Sequence, residues 1–272
     1  MLNGGDMTES SFQGQAGTIY TRGWEIDRAR GGVVLAHGYG EHLGRYEHVA
    51  KALNDAGWSA YALDHVGHGR SEGERVLISD FTPIVEDVHT VVGQAKAANP
   101  GLPVAMIGHS MGGMIAARYA QLHPGELAAL VLSGPVIGTL KGITSLLGMD
   151  VIPSDPIDPS VLSRDEEIGR AYSEDPLVWH GPFRRQTLLG FAELLTELAI
   201  DADKVTGPVL WLHGEEDQLV PMAGARRGIA LLRNANVTEK TYLGARHEIF
   251  NELNKDEVLA DTTAFLAKVT DG

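Results

Sequence analysis

The sequence predicts an α/β fold, with a mostly parallel central sheet flanked by helices. Short apolar runs rich in β-branched residues alternate along the chain with helical patterns, which is the arrangement of βαβ units. Most of these runs are apolar throughout, as expected of strands that are covered on both faces. One of them, Val104 to Ile107, leads into Gly108-His109-Ser110-Met111-Gly112-Gly113 and then into a helical pattern. We therefore expect a sharp strand-to-helix turn that carries a serine.

Each predicted element follows from its periodicity and from the turn-forming residues that bound it. The predicted strands are Thr18 to Trp24, Gly32 to Ala36, Ser59 to Leu63, Val104 to Ile107, Ala128 to Leu132, Val209 to His213 and Val237 to Tyr242. The predicted helices are Arg45 to Ala56, Ile84 to Ala97, Ser110 to Leu122, Met222 to Leu232 and Asp256 to Lys268. Parallel strands end at one edge of the sheet, so we expect the functional site at their carboxyl ends.

The alternation breaks down over residues 135–205, where prolines are frequent and one clear helical pattern comes late, from Leu188 to Leu198. We interpret this segment as a mainly helical cap above the strand ends, inserted after Ala128 to Leu132. Residues 17–134 and 206–270 form the predicted core, and the polar residues 1–16 are predicted to be poorly ordered. The cap contains an apolar cluster that has two interpretations. The cluster packs the cap onto the core, or it lines an acyl channel or touches lipid; its members are Leu140, Ile143, Leu146, Leu147, Met149, Val151 and Ile152.

The composition excludes several classes of protein. The 272 residues include 22 Lys and Arg against 36 Asp and Glu, a net charge of −14, which disfavours nucleic acid as a partner and limits membrane contact to transient contact through apolar patches of the cap. The chain has no cysteine, so disulfides and thiolate chemistry are excluded. Met1 to Ser10 lacks the features of an export signal, and no stretch is long enough to span a membrane. We therefore expect a cytoplasmic protein; the oligomeric state stays open.

The serine turn predicts a nucleophile elbow. A serine on such a tight turn projects its hydroxyl out of the sheet, and the residues two before and two after it must lack bulk. Gly108 and Gly112 meet this requirement around Ser110. The following helix also directs its positive end and its unpaired N–H groups at the same place, where an oxyanion could be held.

A serine hydroxyl is a weak nucleophile, so Ser110 needs a base and an acid that orients the base. In this type of fold the order along the chain is serine, acid, histidine. Asp217 lies beyond the strand Val209 to His213, and His247 follows the strand Val237 to Tyr242 near the chain end. We predict these two as acid and base; Glu215 and Glu216 are closer to the strand and are expected to be solvated.

The other histidines are expected to have structural roles. His109 and His213 lie beside the site loops, where they should pack or form hydrogen bonds. His65 and His68 could suggest a metal, but the sequence offers no convergent third ligand, and we predict no metal site.

The loop His37-Gly38-Tyr39-Gly40-Glu41-His42 follows the strand Gly32 to Ala36. Its glycine-flanked turn can direct the N–H of Tyr39 at an oxygen that becomes negative, with the N–H of Met111 as the second donor. A phosphate-binding loop is the alternative interpretation, but the dinucleotide glycine spacing and the P-loop lysine are missing. We expect no cofactor.

With these motifs the chain resembles the α/β-hydrolase family and, within it, the monoacylglycerol lipases and lysophospholipases. The resemblance covers roughly residues 17–268. It rests on His-Gly-Tyr-Gly-Glu-His-Leu-Gly-Arg-Tyr (37–46), Asp-His-Val-Gly-His-Gly-Arg-Ser-Glu-Gly (64–73), Gly-His-Ser-Met-Gly-Gly (108–113), Asp-Pro-Leu-Val (175–178), His-Gly-Glu-Glu-Asp (213–217) and His247. The resemblance implies a cap inserted between strands six and seven.

The resemblance also implies roles for residues near the substrate's alcohol group. Glu41 and Arg45 match residues near the glycerol-binding end of the pocket in such lipases. The alternative is that they form a buried ion pair that shapes the loop. Some relatives carry a second histidine three residues after the catalytic one; Phe250 stands there in this chain, which implies a less polar alcohol end.

These observations favour a cofactor-free serine hydrolase that cleaves monoacylglycerols to glycerol and fatty acid through an acyl-enzyme. Ser110 would be the nucleophile, His247 the base and Asp217 the orienting acid. One alternative keeps these residues and changes the substrate to that of a broader carboxylesterase or a lysophospholipase. The alternative from another class is a ligand-binding protein that uses this fold without turnover. Haloalkane and epoxide chemistry is disfavoured, since those relatives carry an aspartate at the elbow.

Overall fold

The computed structural model of the chain describes residues 6–139 and 141–270. Within these ranges, eight strands form a single sheet in the spatial order β1-β2-β4-β3-β5-β6-β7-β8. The strands are β1 (Asp6–Gln13), β2 (Thr18–Glu25), β3 (Gly32–Ala36), β4 (Ser59–Leu63), β5 (Val104–His109), β6 (Ala129–Ser133), β7 (Gly207–Gly214) and β8 (Ala235–Tyr242). Strands β3 to β8 pair in parallel, whereas β1 and β2 are antiparallel.

Helices cover both faces of the sheet. They are α1 (Glu47–Asp55), α2 (Thr82–Ala98), α3 (Met111–Leu122), α4 (Lys141–Leu147), α5 (Glu166–Glu174), α6 (Arg185–Ile200), α7 (Met222–Ile229) and α8 (Lys255–Thr270). Successive residues of a strand point to opposite faces. In β3, Val33 and Leu35 therefore pack with α1 and α8, whereas Val34 packs with α2 and α3. The uniformly apolar strands are explained by these two cores.

The predicted mostly parallel α/β architecture is confirmed. Every predicted strand is present, with bounds that agree to within two residues at each end. Every predicted helix is present too, but α2 begins two residues before its predicted start, α7 ends at Ile229, three residues before its predicted end, and α1 begins only at Glu47 because Leu43–Tyr46 forms a 3-10 turn. The side chain of His42 accepts a hydrogen bond from the Gly44 N–H, which caps the tighter turn.

Of residues 1–16, which are predicted to be poorly ordered, residues 1–5 lie outside the described residues, and the prediction is wrong for residues 6–13. These residues form β1, which pairs antiparallel with β2 from Asp6 opposite Glu25 to Gln13 opposite Thr18. The side chains of residues 7–13 are mostly exposed, and among them Phe12 packs against the core. The strand is held by backbone hydrogen bonds to β2 and by polar contacts such as that between Glu9 and Arg22, and neither leaves a hydrophobic pattern in the sequence.

Helices α4, α5 and α6 lie between β6 and β7, in the segment predicted as the cap. The late helical pattern corresponds to α6, whose Leu188, Phe191 and Leu194 are buried in the core beside α2 and α3. The predicted apolar cluster divides: Met149 and Val151 are exposed, Leu140 lies outside the described residues, and the others pack against the core, namely Ile143, Leu146, Leu147 and Ile152. The boundaries 17–134, 135–205 and 206–270 stay predictions.

No helix in the described ranges combines the length and the apolar character that crossing a membrane requires. The cytoplasmic location stays a prediction.

Candidate active site

Ser110 occupies the turn between β5 and α3 in a backbone conformation that residues other than glycine rarely adopt, with φ 55° and ψ −116°. The turn is tight enough that a Cβ on Gly108 would overlap the Gly112 carbonyl oxygen, and a Cβ on Gly112 would overlap the Ala36 carbonyl oxygen. The Ser110 N–H donates to the Ser133 carbonyl at 2.9 Å, which fixes the turn to β6. The glycine pattern in the sequence is therefore a steric requirement of this turn.

Asp217 and His247 meet beyond the carboxyl ends of β7 and β8. His247 Nδ1 donates to Asp217 Oδ2 at 2.7 Å, which leaves Nε2 as the unprotonated nitrogen of the neutral ring. Asp217 Oδ1 accepts the backbone N–H groups of Leu219 at 2.9 Å and Val220 at 2.8 Å. Both carboxylate oxygens are occupied, so the orientation of the carboxylate, and with it that of the imidazole, is fixed.

The pair is buried, and its electrostatics favour charge separation. Burial alone would raise the pKa of Asp217, but the charge of His247 and hydrogen bonds from His213 and His247 lower this pKa well below its ordinary value. Burial lowers the pKa of His247, but the negative charge of Asp217 and the hydrogen bond to it outweigh burial and raise this pKa above its ordinary value. Asp217 therefore stays ionised and stabilises a protonated His247.

His213 lies beside the same carboxylate oxygen of Asp217 that His247 contacts. Trp211 Nε1 donates to His213 Nδ1 at 3.2 Å, so His213 carries its proton on Nε2, which donates to the Val220 carbonyl at 2.8 Å. The same Nε2 lies 3.4 Å from Asp217 Oδ2. His109 also stays beside the site and contacts Ser133 through Nδ1 at 3.1 Å. The predicted hydrogen-bonding roles of these two histidines are confirmed.

The loop after β3 brings Tyr39 to the same cavity that Ser110, Met111 and His247 line. Within residues 6–139 and 141–270, the backbone N–H groups of Tyr39 and Met111 have no protein hydrogen-bond acceptor. A Cβ on Gly38 would lie 3.2 Å from the Ser110 Cβ and 2.9 Å from Glu41 Oε1, so this position needs glycine for close approach to the elbow. Two N–H groups are thus free to bind an oxygen beside Ser110.

Glu41 and Arg45 form the buried ion pair that was the alternative to a substrate contact. Arg45 Nη1 donates to Glu41 Oε2 at 2.7 Å and to Glu248 Oε1 at 2.7 Å, and Nη2 donates to Glu248 Oε2 at 2.6 Å. Glu41 and Glu248 line the cavity, whereas Arg45 is not among the described residues that line it. The sequence interpretation missed Glu248; its position directly after His247 is the only signal that could have indicated it.

The cavity above Ser110 has a volume of about 250 Å³ and lies between the strand ends and the segment predicted as the cap. Most of its lining from that segment is apolar: Ile143, Leu146, Ile157, Leu162, Tyr172, Phe183, Leu188 and Phe191. Ile143 and Leu146 belong to the predicted apolar cluster, so its two proposed roles overlap. Phe250 is not among the described residues that line the cavity; it is buried in the core beside α1 and α8, and its expected effect on the polarity of the alcohol end stays a prediction.

His65 and His68 pack near His37 behind the loop that carries Tyr39. Burial lowers the pKa of His65 to about 3 and that of His68 to about 4, so both rings are neutral at pH 7. Among the residues described, one group places three metal-ligating atoms close together: His89, His123 and Glu126. Lys96 Nζ donates a hydrogen bond to Glu126 Oε2 at 2.6 Å, and this positive charge beside the group opposes the binding of a cation.

Comparison with known proteins assigns the chain to a family. The family model described as serine aminopeptidase, S33, matches residues 27–254. The chain belongs to this family. Its sheet order, its flanking helices and its structural neighbours are those of α/β-hydrolases, as the sequence resemblance indicated.

Similar members of the family are named as lipases. The monoacylglycerol lipase of Mycolicibacterium smegmatis is 41% identical over 273 residues, which cover 95% of this chain and 96% of that protein. The human monoglyceride lipase is 37% identical over 231 residues, covering 81% of this chain and 76% of that protein. The crystal structure of the monoacylglycerol lipase of Paleococcus ferrophilus superposes with a TM-score of 0.77 at 28% identity, covering 97% of this chain and 99% of that one.

Proposed function

We propose that the chain is a carboxylic ester hydrolase that cleaves monoacylglycerols to glycerol and fatty acid through an acyl-enzyme on Ser110. The observation that carries the proposal is the 2.7 Å hydrogen bond between Asp217 and His247 at a cavity that the strained Ser110 also lines. An oriented base, a projecting serine and free N–H donors are the parts that acyl transfer needs. The names of the similar family members support the same reaction class.

The reaction would proceed in two halves. Ser110 Oγ attacks the ester carbonyl while His247 Nε2 takes its proton, and the Tyr39 and Met111 N–H groups stabilise the oxyanion. The imidazolium, stabilised by Asp217, then protonates the leaving alkoxide, and glycerol departs from the acyl-enzyme. His247 next removes a proton from water, which attacks the acyl carbonyl, and the returning proton restores Ser110 as the fatty acid leaves.

The substrate assignment rests on the lining of the cavity. Its apolar side chains suit an acyl chain, and the carboxyl groups of Glu41 and Glu248 give the cavity a polar end beside His247, which suits the alcohol part of the ester. The cavity is compatible with one acyl chain per ester, as in a monoacylglycerol.

The test is turnover of 1-oleoylglycerol and labelling by a fluorophosphonate probe in the wild type and in Ser110→Ala. We expect both signals in the wild type and loss of both in the variant, because the probe reacts with the activated hydroxyl. Ser154→Ala, at an exposed position, is the matched control and should behave as wild type. Undiminished hydrolysis by folded Ser110→Ala would contradict the proposal, and failure of the wild type to react with the probe would favour the non-catalytic binding protein.

A broader carboxylesterase or a lysophospholipase with the same residues is the second candidate. Arg45, which the resemblance assigns to the glycerol end, is held by Glu41 and Glu248 outside the cavity lining, and this favours a less glycerol-specific pocket. Values of kcat/KM for 1-oleoylglycerol, 1-oleoyl-lysophosphatidylcholine and p-nitrophenyl butyrate distinguish the two. We expect the monoacylglycerol to give the highest value; a tenfold higher value for either other ester would favour the second candidate.

A further inference from the structure

Glu41 connects the side chain of Arg45 to the backbone of the loop that carries Tyr39. Its Oε1 accepts the Gly38 N–H at 2.6 Å and the Tyr46 hydroxyl at 2.7 Å. Gly38 directly precedes Tyr39, so this carboxylate fixes the peptide next to the proposed oxyanion donor. The carboxylate is only 3% exposed, and water does not compete effectively for these hydrogen bonds.

Arg45 continues the connection to the loop that carries His247. Its guanidinium makes the bidentate contact with Glu248 and donates to Glu41 on the other side. Glu248 directly follows His247, and its Oε2 also accepts from Asn251 Nδ2 at 2.9 Å. A continuous path of short hydrogen bonds therefore runs from Gly38 through Glu41, Arg45 and Glu248 to the residue beside His247.

The charges of this path argue against a purely stabilising role. Two acidic side chains share one guanidinium in a buried place. Burial opposes ionisation of Glu248, but the charge and hydrogen bonds of Arg45 lower its pKa to about 2, so it stays ionised near pH 7. Buried ion pairs are often no better for stability than apolar residues of similar volume, so a gain in stability alone does not account for this group.

We propose that Glu41, Arg45 and Glu248 form a positioning bridge that sets the distance between the oxyanion loop and His247. The proposal rests on the function proposed above and adds Glu248 as a positioning residue that acts through Arg45 and through its neighbour His247. A bidentate contact fixes both the separation and the angle of the two loops, which a single hydrogen bond does not. Small displacements of reacting groups reduce turnover strongly even when substrate binding is retained.

The first test compares Glu248→Gln with the wild type on 1-oleoylglycerol. Glutamine keeps the size of the side chain but loses the charge and one acceptor for Arg45, so we expect kcat to fall by about 10- to 100-fold while KM changes less than twofold. Glu41→Gln should give a similar loss, and the double variant should lose far less than the product of the two, because both break one path. Independent, multiplying losses would overturn the bridge.

The matched control is a second arginine, remote from the site, that is also held between two carboxyl groups. Arg118 on α3 lies 2.7 Å from Asp201, which directly follows α6, and 3.1 Å from Glu197 on α6. Asp201→Asn should lower the melting temperature without changing kcat. Equal losses of kcat in Asp201→Asn and Glu248→Gln would show that the effect is general destabilisation and would overturn the proposal.

A second readout is the acid limb of kcat/KM against pH. The groups that face His247 are Asp217, Glu248, Glu41 and His109, and burial lowers the pKa of His109 to about 3, so that ring is neutral. Removing the negative charge of Glu248 should shift the acid limb to lower pH, whereas the remote control Asp201→Asn should leave it in place. An unmoved limb together with unchanged kcat would overturn the proposal. The wild type's own turnover and probe labelling test the proposed function separately.

Discussion

His42 on the loop after β3 donates its Nε2 proton to Asp175 Oδ2 at 2.9 Å, because its Nδ1 accepts the Gly44 N–H at 3.2 Å. Asp175 follows α5 in the segment predicted as the cap. A second contact lies close by: the Trp179 N–H donates to the Gly40 carbonyl at 2.7 Å. The position of this segment and the conformation of the proposed oxyanion loop are therefore coupled through two hydrogen bonds.

Asp175→Asn should weaken this coupling. The Asn Oδ1 can still accept the Leu177 N–H, but its amide group then presents a donor to the His42 Nε2 proton. Because the pair is partly exposed, we expect the free energy of unfolding to fall by only about 0.5–1 kcal/mol. We expect kcat/KM for 1-oleoylglycerol to fall several-fold. Asp158→Asn, which removes the charge of an exposed side chain but keeps an acceptor for the Ser160 N–H, is the control; equal activity in the two variants would contradict the coupling.

Ser110→Gly should be more stable than Ser110→Ala, although both should be inactive. The positive φ of Ser110 costs on the order of 1–3 kcal/mol for a residue with a Cβ. Glycine relieves this strain but loses about 0.5–1 kcal/mol of backbone entropy on folding. Urea unfolding of the two variants should therefore show a difference of about 1 kcal/mol in favour of glycine. A more stable alanine variant would mean that the turn stores no strain.

Gly112→Ala should be strongly destabilising, because the new Cβ would overlap the carbonyl oxygen of Ala36, which cannot move without disturbing β3. We expect a loss of about 3 kcal/mol, at the upper end of the usual cost of an overpacked core position, because the atom that is met is backbone. Gly93→Ala on α2 is the matched control: nothing lies within 4 Å of its Cβ, and alanine should stabilise the helix by about 0.5–1 kcal/mol. Thermal unfolding of both variants checks the pair, and similar melting temperatures would contradict the steric argument.

The pH dependence of kcat/KM should follow His247. The base works in its neutral form, and the pKa of His247 is raised above its ordinary value of 6.5 by Asp217. Activity should therefore be full above this raised pKa and be lost as the pH falls through it. Asp217→Asn should lower kcat on the order of 10⁴-fold and move the acid limb to lower pH. An acid limb well below 6.5 in the wild type would contradict the assignment of the base.

Most of the fold was predictable because most of its strands are apolar throughout and several of its helices are amphipathic. The strand β1 was not, because its exposed residues Met7 to Ser11 carry no alternating pattern and its stability comes from pairing with β2. The lining of the cavity was predictable only in part. Ile143 and Leu146 belong to an apolar cluster that the sequence identifies, whereas Tyr172 and Phe183 lie in stretches without a clear period.

The sequence by itself determined the turn at Ser110 and the candidates Asp217 and His247. The turn is a local feature because it needs residues without a Cβ at Gly108 and Gly112. The order of the three residues along the chain follows from the order of the strands. Only the tertiary structure decided what Arg45 contacts. Its partner Glu248 is 203 residues away, and no periodicity or motif records a contact between two loops that meet at the edge of a sheet. Folding of the whole sheet brings these two charges together, and their burial fixes the pairing.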